Sequence, residues 1–394
     1  MENKKVVIGV SGGIAVYKAL DVISTLRKNN VEVKVIMTES ATEFVSPLTF
    51  QSLSQNLVAV DMFAEPKAFE IQHISLAQWS DLMIIVPATA NIIGKVANGI
   101  ADDMLSTTIM ASTAPVLFVP AMNTHMYENK IVQDNIKKLQ DYGYEFIEPA
   151  EGRLACGDIG KGKLPDTALI SEIILSKLYP IKDMVGQNVL VTAGPTVSPI
   201  DPVRFISNNS SGKMGYAIAE EARDRGANVV LISGPTSLKP PVGVEVISVK
   251  TNGEMYNEVL SRYDSQDIVI KAAAVADYKV EEYSTRKIKK SSSDLQLKFV
   301  RDNDILKTLG DKKQHQILVG FAAESNDIIE NAIGKIERKN LDYIVANDIT
   351  AKDTGFESNY NKVIIIDKTG KQISLDKMSK RKVAKNLFDE IKRR

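Results

Sequence analysis

Apolar residues gather along the chain in short, β-branched runs. In the first half these are KVVIGV (5–10), VEVKVIM (31–37), LMIIVPA (82–88), VLFVPAM (116–122) and EFIEPA (145–150). Most are apolar nearly throughout rather than at alternate positions, which predicts strands buried on both faces. Between the first two, Val16, Ala19, Leu20, Ile23 and Leu26 recur at helical spacing and give one apolar face. Buried strands alternating with amphipathic helices predict a parallel sheet covered on both sides.

The pattern restarts near residue 184. KDMVGQ (182–187) reads as a polar linker and NVLVTAG (188–194) as a new first strand. NVVLISG (228–234), DIVIKAAA (267–274), ILVGFAA (317–323), DYIVAND (342–348) and NKVIIID (361–367) follow, with helices expected near 212–226, 252–264, 326–340 and 376–392. The expected domains are therefore 1–184 and 185–394. Each is a doubly wound α/β sheet, whose ligand site lies beyond the carboxyl ends of its strands.

Composition narrows the partners. Lys+Arg and Asp+Glu are both 49, so neither nucleic acid nor a membrane surface is expected. The single cysteine, Cys156, excludes an intramolecular disulfide and fits a reducing compartment. No run of about 18 apolar residues is present, and MENKKVVIGVSGG lacks the pattern of a signal peptide. A cytoplasmic protein is expected.

Candidate chemistry sits at the strand ends. In SGGIAVYK (11–18), Gly12 and Gly13 make either a tight turn or a phosphate loop at a helix start. The absence of G-x-G-x-x-G argues against a dinucleotide. Thr38, Glu39 and Ser40 follow the second strand, and Thr89, Ala90 and Asn91 follow the third. Three such loops on one edge suggest a mononucleotide such as FMN. Asn123, in PAMNTHMY, is a helix cap or a carboxylate ligand. His73 is structural or a base, whereas His125 and His315 have no supporting pattern. Cys156 lies in EGRLACGDIGKGKLPD (151–166), whose glycines predict a mobile surface loop carrying a proton donor. In the second half, FISNNSSGKMGYAIA (205–219) sets Lys213 between two glycines, yet Met214 stands where a P-loop has Ser or Thr. It reads as an anion loop or a capped connector. AAAVADY (272–278) gives close backbone access, with Asp277 placed for a ribose hydroxyl. RKIKK (286–290) is a solvated face or a lysine that closes over a polyphosphate.

SGGIAVYK, IQHISLA, PATANIIGKVANGIADDMLS, PAMNTHM and ACGxxGxGK occur in this order over almost all of residues 1–180. Together they resemble the FMN-dependent cysteine decarboxylases, the phosphopantothenoylcysteine decarboxylases in particular. Tyr127 replaces the family's usual Trp at a peripheral packing position. The resemblance implies a flavodoxin-like domain that binds FMN through Gly12, Gly13, Ile14, Thr38, Glu39, Ser40, Thr89, Ala90, Asn91, Ile92 and Ala121. It implies that flavin oxidation of a cysteinyl thiol to a thioaldehyde lets the α-carboxylate leave. His73 would be the base, Asn123 would grip the carboxylate and Cys156 would supply the final proton.

AGPT, the DPVR–ISN–SSGKMG run, AAAVADY, KIKK, GFAAE and KNLD–IVAND, over about 188–350, resemble the phosphopantothenate–cysteine ligases. That implies a Rossmann-like ligase domain using CTP and Mg²⁺, with attack of a carboxylate on the α-phosphate. Arg204 and Asn208 would bind the acyl group and Lys287 would neutralise the triphosphate. The nucleotide positions are Lys271, Ala272, Ala273, Asp277, Asp302, Asn303, Asp304, Ile305, Phe321, Lys335 and Lys339; metal ligands are not indicated. Two departures stand out. Arg301–Ile305 reads R-D-N-D-I where the family reads K/R-N-P-D-I, so Asp302 would alter base or metal contacts, and Lys271 stands where Gly is typical. The two halves in this order resemble the bacterial bifunctional enzymes of coenzyme A biosynthesis. Those convert 4′-phosphopantothenate and L-cysteine to 4′-phosphopantetheine, and combine trimers and dimers into a dodecamer. A non-catalytic regulatory flavoprotein and an NAD(P)-dependent reductase are the alternatives, the second opposed by the missing G-x-G-x-x-G.

Overall fold

The computed structural model describes residues 4–63, 71–289, 294–324, 328–348 and 358–393. Phe69 and Glu70 ahead of His73, Lys290 of the basic run, Ser325 and Ile349 lie outside the described residues. The chain forms two compact units, Met1–Pro180 and Ile181–Arg394.

The first unit holds strands β1 (Lys4–Val10), β2 (Val31–Met37), β3 (Val58–Ala59), β4 (Leu82–Ala88), β5 (Val116–Pro120) and β6 (Glu145–Phe146). All pair in parallel, in the order β3-β2-β1-β4-β5-β6. Leaving aside the two-residue edge strand β3, which the sequence pattern did not suggest, this is the flavodoxin-type order. Helices on both faces explain the continuous apolar runs. Val6, Ile8 and Val10 pack into one cluster with the helices Ala19–Lys28 and Thr167–Lys177. Val7, Met83 and Ile85 face the helices Ala90–Ala97 and Met104–Ala111. Tyr127, expected at the periphery, is buried in the second cluster. Residues 150–163, expected as a mobile loop, instead form an antiparallel ribbon of β7 (Ala150–Arg153) and β8 (Ile159–Lys163).

The second unit holds β9 (Asn188–Ala193), β10 (Val197–Pro199), β11 (Phe205–Ser207), β12 (Asn228–Ser233), β13 (Glu245–Ser248), β14 (Ile268–Lys271), β15 (Tyr278–Val280), β16 (Phe299–Arg301), β17 (Ile317–Glu324), β18 (Tyr343–Asp348), β19 (Tyr360–Asp367) and β20 (Gln372–Ser379). The main sheet runs β13-β12-β9-β14-β17-β18-β19-β20. Its first six strands are parallel in the dinucleotide-fold order. β19 and β20 are antiparallel, so the sheet is mixed. β20 takes residues 372–379, and Ser379 caps the final helix at Lys380 rather than the expected 376. β10–β11 and β15–β16 form small antiparallel ribbons.

Residues 182–187 are not a linker. Met184 is fully buried in the second unit's core, and its neighbour Asp183 pairs with a buried guanidinium. That group is Arg225, which has no exposed surface. It donates to Glu221 Oε1 (2.8 Å), Asp183 Oδ2 (3.3 Å), Asp389 Oδ1 and the Lys385 carbonyl (3.1 Å). A Phe388 ring lies 5.7 Å away. One side chain thus joins the helix Lys213–Asp224, the helix Lys380–Lys392 and the segment entering β9. We expect Arg225→Met to destabilise this unit by ~2 kcal/mol, because it removes the buried guanidinium's hydrogen bonds to Glu221 and Asp389, leaving those carboxylates to Arg381 and Lys385. A lower urea midpoint at unchanged slope would show it.

Candidate functional sites at the strand edges

In the first unit a cavity of about 960 Å³ opens at the carboxyl ends of β1, β2, β4 and β5, with the β7–β8 ribbon as a wall. It brings together residues 12–14, 38–40 and 89–91 with Ala121, Asn123 and Cys156. The two loops that meet there leave no space between them. A Cβ on Gly12 would lie 2.5 Å from Ser40 Cβ, so glycine at this position is a packing requirement. Ser11 ties the β1 and β4 ends. Its hydroxyl donates to the Pro87 carbonyl (2.8 Å) and accepts from the Thr89 amide (3.0 Å). Lys95 also lines the cavity, but Asp102 (2.7 Å) and Asp103 (2.8 Å) neutralise it. These contacts raise the ammonium's pKa and, against the upward push of burial, lower that of Asp103. The loops Ser11–Ile14, Thr38–Ser40 and Thr89–Asn91 therefore offer hydroxyls and backbone amides, a donor set that suits a single phosphate group at a helix start.

Asn123 is a helix cap, and its amide faces the ribbon. Its Oδ1 accepts from the His125 amide (2.8 Å) and caps the helix Thr124–Glu128. That fixes its Nδ2 toward the ribbon, 3.3 Å from Cys156 Sγ and 2.6 Å from Asp158 Oδ2. The ribbon's glycines allow this approach. A Cβ on Gly160 would meet Thr124 Cγ2 at 2.7 Å, and one on Gly162 would meet the Met122 carbonyl oxygen at 2.4 Å. Met122 in turn donates its amide to the Gly162 carbonyl (2.9 Å). Asp158 was not singled out in the sequence; it sits two residues beyond Cys156 in the same glycine-bearing motif.

Two expected residues do not line this cavity. His73 lies in the first turn of the helix Gln72–Trp79, which packs through Leu76 and Trp79 into the hydrophobic cluster. Ile92 is 1% exposed in that same cluster, so its side chain belongs to the core.

The second unit's cavity, about 490 Å³, is lined from β14, β17 and β18. It gathers Asn208, residues 271–273, Asp277, Phe321, Lys335 and Lys339. The loop 208–212 reaches it through Gly212, at φ +76°, where a Cβ would lie 2.7 Å from Thr236 Cγ2. Asn208 Nδ2 donates to the carbonyls of Ala274 (3.2 Å) and Val275 (3.1 Å), which pins this loop to the AAAVADY strand end. Lys213 and Lys380 also line it. Sequence reasoning missed Lys380, which opens a helix in an unremarked basic stretch yet is 6% exposed.

Six other expected residues lie off this cavity. Arg204 is held by Asp201 Oδ2 (2.9 and 2.5 Å) and by the Ile288 carbonyl (2.8 Å). Asp201 is 3% exposed and also accepts from the amides of Val203, Arg204 and Ile288. The Arg204 guanidinium, ahead of these amides, holds its carboxyl well below the usual range. This clamp fixes the backbone beside exposed Lys287. Asp302 pairs with Lys279 (3.1 Å), away from the cavity. The Asn303 carbonyl accepts from Asn252 (3.0 Å), and Ile305 is buried. Asp304 caps the helix Ile305–Lys312 and pairs with Lys339 at 2.8 Å, touching the site through that lysine.

The "Flavoprotein" family profile matches residues 1–179, and that of the "DNA/pantothenate metabolism flavoprotein C-terminal domain" matches 184–394. A coenzyme A biosynthesis bifunctional protein CoaBC from Bacillus subtilis (strain 168) is 51% identical, covering 99% of this chain and 97% of its own. The chain belongs to this bifunctional family. Its first half is the flavoprotein decarboxylase domain and its second the ligase domain. The CoaBC of Borreliella burgdorferi is 44% identical over 98% of both chains. A solved C-terminal domain of a CoaBC is 42% identical and covers 53% of this chain and 96% of its own, with a TM-score of 0.46. Among the described residues no helix is long and apolar enough to cross a membrane.

Burial pushes Lys271 down to about 8, against the pull of the Asp277 carboxylate, and Lys339 adds to the fall. Burial, with Lys213 nearby, does the same to Lys380. A depressed lysine is charged below that value and neutral above it, and a bound polyanion favours the charged form. Affinity for tripolyphosphate should therefore be flat below about 8 and fall as pH rises through it. Titration calorimetry across this range would show the slope, reduced in Lys271→Gln.

Proposed function

We propose that the second half joins 4′-phosphopantothenate to L-cysteine at the expense of CTP, through an acyl-cytidylate. The first half then decarboxylates that product to 4′-phosphopantetheine with FMN. The observation that carries this reading is the meeting of Asn123 and Cys156, 33 residues apart, beside the Gly12 and Thr89 loops. Bound FMN would supply the reversible two-electron oxidation of the substrate thiol on which loss of CO₂ depends. The residue 12–14 amides and the Thr89 hydroxyl would hold its phosphate, on an edge that Ser11 ties together. The Asn123 amide would donate to the substrate carboxylate, and Cys156 would protonate the carbon left behind. This pair also favours an enzyme over a regulatory flavoprotein. His73 fits as a base only if supplied across a subunit boundary; exposed Ile71 beside it supports such a partner. Exposed Phe205, Tyr278 and Phe299 on the ribbons support a second interface, in keeping with trimers and dimers combined into one assembly.

In the ligase half, Lys213, Lys271, Lys335, Lys339 and Lys380 would neutralise the triphosphate. Lys287, on the segment anchored by Asp201 and Arg204, would close over the leaving group. Among the described residues no group of three or more His, Cys, Asp and Glu side chains is placed to hold a metal ion. Mg²⁺ held chiefly by phosphate oxygens fits that. The pairing of Asp302 with Lys279 supports CTP as the nucleotide, since that carboxylate's charge is already taken up.

Incubation with 4′-phosphopantothenate, L-cysteine, CTP and Mg²⁺, read by mass spectrometry, should yield 4′-phosphopantetheine and CMP. No condensed product with CTP would sink the ligase reading, and accumulation of phosphopantothenoylcysteine would sink the decarboxylase reading. Asn123→Asp should cut decarboxylation by about a hundredfold or more and leave ligation unchanged. Lys287→Gln should slow ligation alone, by about tenfold or more.

A further inference from the structure

The tip of the β7–β8 ribbon carries a carboxylate on the one donor that the decarboxylase site keeps for a substrate carboxylate. Gly157, at φ +97°, turns the chain so that the Leu154 amide donates to the Asp158 carbonyl (2.8 Å). Asp158 Oδ2 then accepts from Asn123 Nδ2 (2.6 Å) and from Cys156 Sγ (3.4 Å). Because Asn123 Oδ1 is committed to the helix cap, Nδ2 cannot turn away from this contact. The Asn123 amide, then the Cys156 thiol, lower the Asp158 pKa, so the carboxyl is ionised when a substrate arrives.

We infer that Asp158 is a positioning residue of the decarboxylase half. Its carboxylate bridges the Asn123 amide and the Cys156 thiol, competes with the substrate carboxylate for that amide, and keeps the thiol beside the carbon to be protonated. This rests on the role given to Asn123 and Cys156 above. The competition costs substrate affinity, while the bridge aids the last proton transfer. Loss of CO₂ would leave its electron pair on the substrate as an enethiol, and saturating that enethiol takes two electrons, which bound FMN would supply, together with a proton from Cys156. If the thiol is out of place, that proton is missing and the decarboxylated product leaves two hydrogens short.

The test uses the full-length holoenzyme with phosphopantothenoylcysteine, comparing wild type, Asp158→Ala and Asp158→Asn. In Asp158→Ala we expect KM to fall about fivefold and kcat to fall about tenfold. A measurable share of single-turnover product should lack two hydrogens by mass. Asp158→Asn keeps the side chain's size without its charge, so it guards against a folding defect, and it should shift KM and kcat in the same directions. A fall in KM together with a fall in kcat is not what a merely structural role would give. Wild-type constants in both variants, or a raised KM at unchanged kcat, would overturn the inference while leaving the decarboxylase reading intact. A wild type that does not decarboxylate at all would overturn that reading first, and this inference with it.

Discussion

Parallel strand pairing sets the constraint on which both units rest. When β1, β2, β4 and β5 run the same way, their carboxyl ends, with unpaired backbone groups, collect on one edge. The same holds for β9, β14 and β17. Loops leaving those ends must supply hydrogen-bond partners, and they do so with one another: Ser11 with Pro87 and Thr89, and Asn208 with Ala274 and Val275. The cavities are what remains between loops tied together in this way. Each site is therefore a product of the sheet as much as of its own residues.

The same logic separates what was legible in the sequence from what was not. Continuous apolar runs announced the buried strands, and loops at their ends announced most cavity residues, because both depend on local pattern. The antiparallel β19 was not separable from parallel strands, since strand direction leaves little trace in a single run, and β20 was not expected because its largely exposed residues form no apolar run. Asp201 and Asp158 escaped because their importance lies in partners distant in sequence, such as Ile288 and Asn123. Lys380 escaped because its burial is tertiary. Conversely, Asp302 looked like a change to the site only because its sequence neighbours resemble nucleotide-binding positions. Lys279 takes up its charge instead.

Two residues expected to touch ligands, Arg204 and Asp304, have protein partners that tie them into the fold. Arg204, with Asp201, fastens the segment carrying Lys287, and Asp304 pairs with Lys339. A buried or half-buried ion pair contributes little net stability, since desolvation offsets attraction, yet it fixes geometry. Arg225 follows this rule on a larger scale, ordering three segments around one guanidinium.

The β8 strand has a consequence for how this protein is free to vary. Gly160 abuts Thr124, and Gly162, at φ +135°, lies against the Met122 carbonyl, so any side chain there forces the ribbon off the Asn123 loop. Ile159 and Lys161 beside them point into solvent, whereas Lys163 lines the cavity. Mutational tolerance over residues 159–162 should therefore alternate residue by residue. Positions open to drift are interleaved with positions where an added side chain must displace Thr124 or the Met122 carbonyl.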